Sequence, residues 1–186
     1  LGGANDLINQ IEASGTTTAA QAADNIAADI QSLYNDGARN VLVGNLPDLG
    51  LLPRYRGTSN QSEASTLTSE FDTELSTDLD ALASSNAGLT LYRMDLYGLI
   101  NSAISNPSAY GLSNVTDAAY TGDSSYLGTG TAVSDQSGYL FLDNLHTTTV
   151  CHLLIAQTAE AALPEPGALM AAGFVLIAAM RRRRNA

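Results

Sequence analysis

The chain has 186 residues, 45% of them hydrophobic, which is enough for one domain with a sizeable core and a tail. Nineteen acidic residues stand against eight arginines and no lysine, for a net charge of −11, and so acidic a body repels phosphate backbones and argues against nucleic-acid binding. One cysteine excludes an intrachain disulfide, and two histidines with no cysteine cluster do not make a metal site, so neither metal nor cofactor is expected.

The first residues, Gly2-Gly3-Ala4-Asn5-Asp6-Leu7, begin without methionine and inside a motif, so the sequence is read as part of a longer protein. Gly3 permits a tight turn, and Asn5 carries an amide that can donate an N–H; taken alone, Asn beside Gly is more simply a turn former. Thr17 to Asn35 places Ala19, Ala22, Ala23, Ile26, Ile30, Leu33 and Tyr34 on one helical face, with threonines for an N-cap and Gly37 as a stop. Asn40-Val-Leu-Val-Gly-Asn then has the continuous apolar look of a strand buried on both faces. The segment Pro47 to Pro53 is a loop.

From Gln61 to Ser85 the period returns to helical, with Leu67, Phe71, Leu75, Leu79 and Leu82 on one side and carboxylates on the other. Leu89-Thr-Leu-Tyr-Arg-Met-Asp-Leu predicts a second strand, and Tyr97 to Ser105 a short helix that stops before Pro107. Residues 107–138 are loop-like, too long for an ordinary connection, and so expected to be functional or mobile. Asp117, Asp123 and Asp135 in this stretch lack the spacing of a calcium loop and are expected to be solvated. Tyr139 to Leu142 predicts a third strand and Thr147 to Leu163 a closing helix, in which Cys151 reads as a buried small hydrophobe. Alternation of helices and apolar strands predicts an α/β fold built on a parallel sheet.

At the end of the third strand stands Asp143-Asn144-Leu145-His146. A carboxylate three residues before an imidazole can fix its tautomer and stabilise its charged form, the base half of nucleophilic ester cleavage. The plain alternative makes Asp143 a helix N-cap and His146 a solvated first-turn residue. Asn5 adds what the pair lacks, a donor for the oxyanion. His152 has no such acid before it; were both histidines on one helix, it would point about 240° away from His146.

The two motifs in this order, with Asn45-Leu-Pro-Asp-Leu-Gly and Tyr139-Leu-Phe-Leu-Asp between and beside them, resemble the SGNH (GDSL-type) ester hydrolases over nearly all of residues 1–163. The resemblance implies a three-layer, flavodoxin-like parallel sheet with its N-terminal strand or strands upstream. It also implies Asn5 and Gly3 at the oxyanion hole, and His146 with Asp143 as two triad members. The chain departs from the family pattern at Thr147, where proline is common. The Gly-Asp-Ser nucleophile motif and the glycine of the family's second block belong upstream of Gly3. Gly122-Asp123-Ser124 spells the nucleophile motif, but it follows no apolar strand, so Ser124 is not expected to attack.

Pro164-Glu165-Pro166 leads into 14 uncharged residues, Gly167 to Met180, and then Arg181 to Arg184. As a helix the uncharged run spans about 21 Å, short of a ~30 Å hydrocarbon core. This tail resembles the PEP-CTERM sorting signal of Gram-negative bacteria, which implies export, processing by an exosortase-type enzyme, and transient inner-membrane anchoring on the way to the cell envelope or surface. An ordinary C-terminal membrane anchor is the alternative. Residues 164–186 are therefore set apart from the folded domain.

The leading expectation is an exported serine lipase or esterase acting on acyl esters of lipids or acetyl groups of polysaccharide, with residues 1–186 alone inactive for want of the nucleophile. The alternative is a non-catalytic surface module that binds polysaccharide or another envelope component. Residues 1–163 alone are expected to expose apolar surface and to aggregate or stay partly unfolded.

Overall fold

A computed structural model describes residues 2–122 and 130–164. Asp123, Ser124 and the tail from Glu165 onward lie outside the described residues, and with them the proposed sorting signal.

The chain begins with a helix that the sequence reading took for a turn: α1 spans Ala4–Ile11, only eight residues. A helix so short does not stand alone in water, and Leu7 and Ile11 hold it by burial in the core. α2 (Ala19–Asn35) starts from a capping box, in which Thr18 Oγ1 accepts from Gln21 N at 3.2 Å while Gln21 Oε1 accepts from Thr18 N at 3.0 Å. β1 (Asn40–Gly44) follows, then a 3-10 turn at Leu49–Leu51 and the long helix α3 (Gln61–Ser85). α3 buries Ala64, Leu67, Thr68, Phe71, Leu75 and Leu79, the stripe its period predicts, and packs along α2.

β2 (Thr90–Met94) lies parallel to β1 in the register Asn40↔Thr90 to Gly44↔Met94, with α3 as the crossover that parallel strands require. α4 (Leu96–Ser105) leaves β2 at once, capped by Asp95, whose side chain accepts from Gly98 N. The predicted loop at 107–138 contains ordered structure: a 3-10 turn at Pro107–Tyr110 and a strand, β3 (Asn114–Ala118), which pairs in parallel with β4 (Tyr139–Phe141) through an irregular register. The Asn-Val-Thr-Asp-Ala sequence of β3 is polar and largely unburied, so pairing rather than hydrophobic pattern makes it a strand. α5 (Thr149–Ala162) closes the described fold against α4.

The fold is α/β with parallel strands, as predicted, but the described strands form two two-stranded sheets, β1–β2 and β3–β4. One strand expectation is corrected. β1 is not covered on both faces, because Leu42 is 37% exposed while Val43 and Gly44 are buried. Cys151 is fully buried, and burial pushes its thiol upward, away from reactivity. No helix among the described residues is long and apolar enough to cross a membrane.

Candidate active site

After β4 the chain turns sharply instead of entering a helix. Leu142 N donates to His146 O at 2.7 Å, and Phe141 bridges to Thr147, so residues 142–147 form a closed turn. Thr148 seals it below, with its hydroxyl donating to Tyr139 O at 2.6 Å and its N–H to Leu140 O at 3.0 Å. Inside this turn Asp143 is fully buried. Its Oδ1 accepts from Leu145 N at 2.7 Å and His146 N at 2.6 Å, and its Oδ2 lies 2.8 Å from His146 Nδ1. A buried carboxylate without such donors would be costly, and these donors lock the turn.

A carboxylate oxygen only accepts, so the proton of the Asp143–His146 bond sits on Nδ1. That leaves Nε2 as the imidazole's acceptor. The His146 side chain is 59% exposed while its partner is fully buried. The ring is thus fixed from behind and open in front, as a proton acceptor must be.

Asn5 is in the first turn of α1 and is exposed. Gly3, the residue that starts the helix, has φ 92° and ψ −30°, and its carbonyl accepts from Asp6 N and Leu7 N. A Cβ at Gly3 would run into Phe71 Cε2 on α3, so both the backbone angle and the space demand glycine there. Gly3 thereby aims the turn that carries Asn5.

Asn5 and His146 line one cavity of about 570 Å³. Leu46, Leu49, Leu52, Leu96, Ile100 and Ile155 supply much of its apolar wall. Sequence reasoning missed this wall. The available signal was Leu49-Gly-Leu-Leu52 between two prolines, too apolar for a connection that only faces water. His152 lines the same cavity, which corrects the expectation that it points away. The helical-wheel argument fails because α5 begins at Thr149, after His146.

Three further features lie on the scaffold outside the lining of this cavity. Asp72 on α3 accepts from Leu46 N at 2.8 Å, and its carboxyl is raised to about 6, chiefly by burial, with a smaller push from Asp95. The Tyr55 phenol, buried and donating to Glu12 at 3.1 Å, is pushed up to about 12, first by burial and then by that carboxylate. Asp24, Glu74 and Asp78 bring carboxylate oxygens within 4.8 Å of one another on α2 and α3; burial first, then Asp24 and Glu74, raises Asp78.

An α/β scaffold thus carries a buried carboxylate behind an open imidazole, with an asparagine on the same apolar cavity. The profile of the GDSL-like Lipase/Acylhydrolase family matches residues 1–159, and the chain belongs to that family. It is similar to Esterase EstA of Pseudomonas aeruginosa, 31% identical over 172 residues, covering 89% of this chain and 26% of that protein. It is also similar to an uncharacterized protein of the trpE-trpG intergenic region of Pseudomonas putida, at 30% identity over 89% of this chain and 28% of that protein. A GDSL esterase/lipase of Arabidopsis thaliana is 26% identical over 71% of this chain and 40% of its own length. The chain thus spans between about a quarter and two-fifths of these curated relatives.

Proposed function

We propose that this chain is the C-terminal part of an exported serine ester hydrolase, with Asp143, His146 and Asn5 in its catalytic centre. The observation that carries the reading is the shared cavity: Asn5 and His146 line it together, and Asp143 is buried behind the imidazole. The nucleophilic hydroxyl comes from a segment upstream of residue 1. His146 Nε2 takes its proton as the oxygen attacks the ester carbonyl, and the Asn5 amide donates to the oxyanion that forms. Asp143 holds the imidazole tautomer and stabilises its positive charge, and Gly3 shapes the turn beneath Asn5. The imidazolium then returns the proton to the departing alcohol. Water, activated by the same Nε2, releases the acid.

The apolar wall favours acyl esters over acetyl groups as substrates. Burying each methylene contributes about 0.8 kcal/mol, so a wall of leucine and isoleucine rewards chain length that an acetyl group cannot supply. The test is hydrolysis of p-nitrophenyl acetate, butyrate and octanoate by the full-length protein. His146→Ala is expected to lower kcat by roughly a thousandfold or more, and kcat/KM is expected to rise at least about tenfold from acetate to octanoate. Equal rates with and without the imidazole remove His146 from the mechanism. A flat chain-length profile returns the acetyl reading. The tail belongs to the same proposal: Pro164-Glu165-Pro166 with its apolar span and arginines marks the protein for export and exosortase-type cleavage. Mass spectrometry of the surface-displayed form tests this, and a mature protein that keeps Arg181 to Arg184 rejects it.

A further inference from the structure

Asn5 and His146 approach one cavity from distant parts of the chain, so something must fix their separation. α1 is about 12 Å long, and the residue capping its C-terminal end is Glu12. Glu12 Oε1 accepts from Arg54 Nε at 2.7 Å and from the Tyr55 hydroxyl at 3.1 Å, and Arg54 Nη2 lies at 2.5 Å from the same oxygen. The main chain of Arg54 reaches the other way, its N–H donating at 3.0 Å to the carbonyl of Asn144, inside the Asp143–His146 turn. The neighbouring Arg56 ties the same loop to its own Leu51 carbonyl at 3.0 Å and to Val115 O of β3 at 3.5 Å. Tyr55 is 3% exposed and anchors the loop in the core.

We propose that Arg54, with Glu12 and Tyr55, is a positioning clamp that sets the distance between the Asn5 helix and the Asp143–His146 turn. This rests on the reading of Asn5 and His146 given above. Arg54 is not among the residues that line the cavity; it acts through the two elements it joins. Its planar, forked guanidinium gives the clamp a fixed geometry that a flexible ammonium does not reproduce. A small misplacement of either element separates the oxyanion donor from the base, which costs rate more than binding.

The clamp is tested in the full-length protein with p-nitrophenyl butyrate. Arg54→Ala is expected to lower kcat by about tenfold or more, with KM changed by less than about twofold, and Arg54→Lys to recover only part of the loss. In an Asn5→Ala background the same Arg54→Ala change should cost less than about threefold, because the donor it aims is gone. Arg39→Ala, which removes an arginine bonded to Tyr34 O and Ala38 O, serves as the charge control and should keep the parent rate. If Arg54→Ala does not fold, Glu12→Gln keeps an acceptor but loses the ion pair, and should lower kcat by about threefold or more at an unchanged melting temperature. Parent kcat in whichever of these two variants folds, or a fully multiplicative loss with Asn5→Ala, overturns the clamp. If Asn5→Ala and His146→Ala themselves keep parent rates, the reading of the site fails and the clamp falls with it. Inactive Asn5 and His146 variants beside an unaffected Arg54 variant reject the clamp alone.

Discussion

Gly3 occupies a backbone region that other side chains rarely enter, with the Phe71 ring where its Cβ would stand. Gly3→Ala is expected to destabilise the fold by about 2 kcal/mol or more, because strain and clash act together. Phe71→Leu in the same chain should relieve the clash and leave the strain, so a partial recovery in urea unfolding is the expected result. A neutral Gly3→Ala would show that the start of α1 tolerates another conformation. At this scale the sequence was informative where chemistry is local. Asp143 and His146 are three residues apart, and one turn suffices to join them at 2.8 Å. Asn5 could be suspected from its motif, whereas its meeting with His146 depends on tertiary packing. His152 was misjudged by assuming a helix that had not yet begun.

The long helix α3 illustrates how an element can carry both core and control. Its apolar stripe was legible because leucine and phenylalanine recur at helical spacing, while nothing in the sequence singled out Asp72 among its carboxylates. Packing instead turns Asp72 beneath Leu46, where burial raises it to about 6. Its folded value lies above the unfolded 3.8, so the native state binds the extra proton between the two, and stability falls as pH rises through about 4 to 6. Partial exposure reduces the effect to about 1 kcal/mol. Asp72→Asn keeps an acceptor for Leu46 N and removes the charge. It should raise the melting temperature at pH 7.5 and change it little at pH 4; equal shifts at both would reject the linkage. α1 and β3 escaped the sequence reading for opposite reasons. α1 is too short to display a period, and β3 has too few apolar residues to alternate.

Among the described residues, the strands form two small sheets that share the site's parts. α1, which bears Asn5, packs on α2 and α3 beside the β1–β2 pair, whereas the Asp143–His146 turn hangs from β4 in the irregular β3–β4 pair. The second pair is short and largely polar on β3, so it should open at lower free energy than the first. On warming the full-length protein, the proposed esterase activity is expected to fall before the far-ultraviolet signal, and amides of β3 and β4 to exchange faster than those of β1 and β2. Coincident loss of activity and helicity, with uniform protection, would show one cooperative unit instead. The exposed Leu42 on β1 is consistent with apolar surface on residues 1–163, and dye binding by that segment alone measures how much there is.

The split between sheets reaches into handling. On the proposed reading, a stored or gently heated preparation is expected to keep its spectrum and its elution volume after its ester turnover has gone, because the pair expected to open first is the smaller one. Its potency should be judged by initial rate and not by shape.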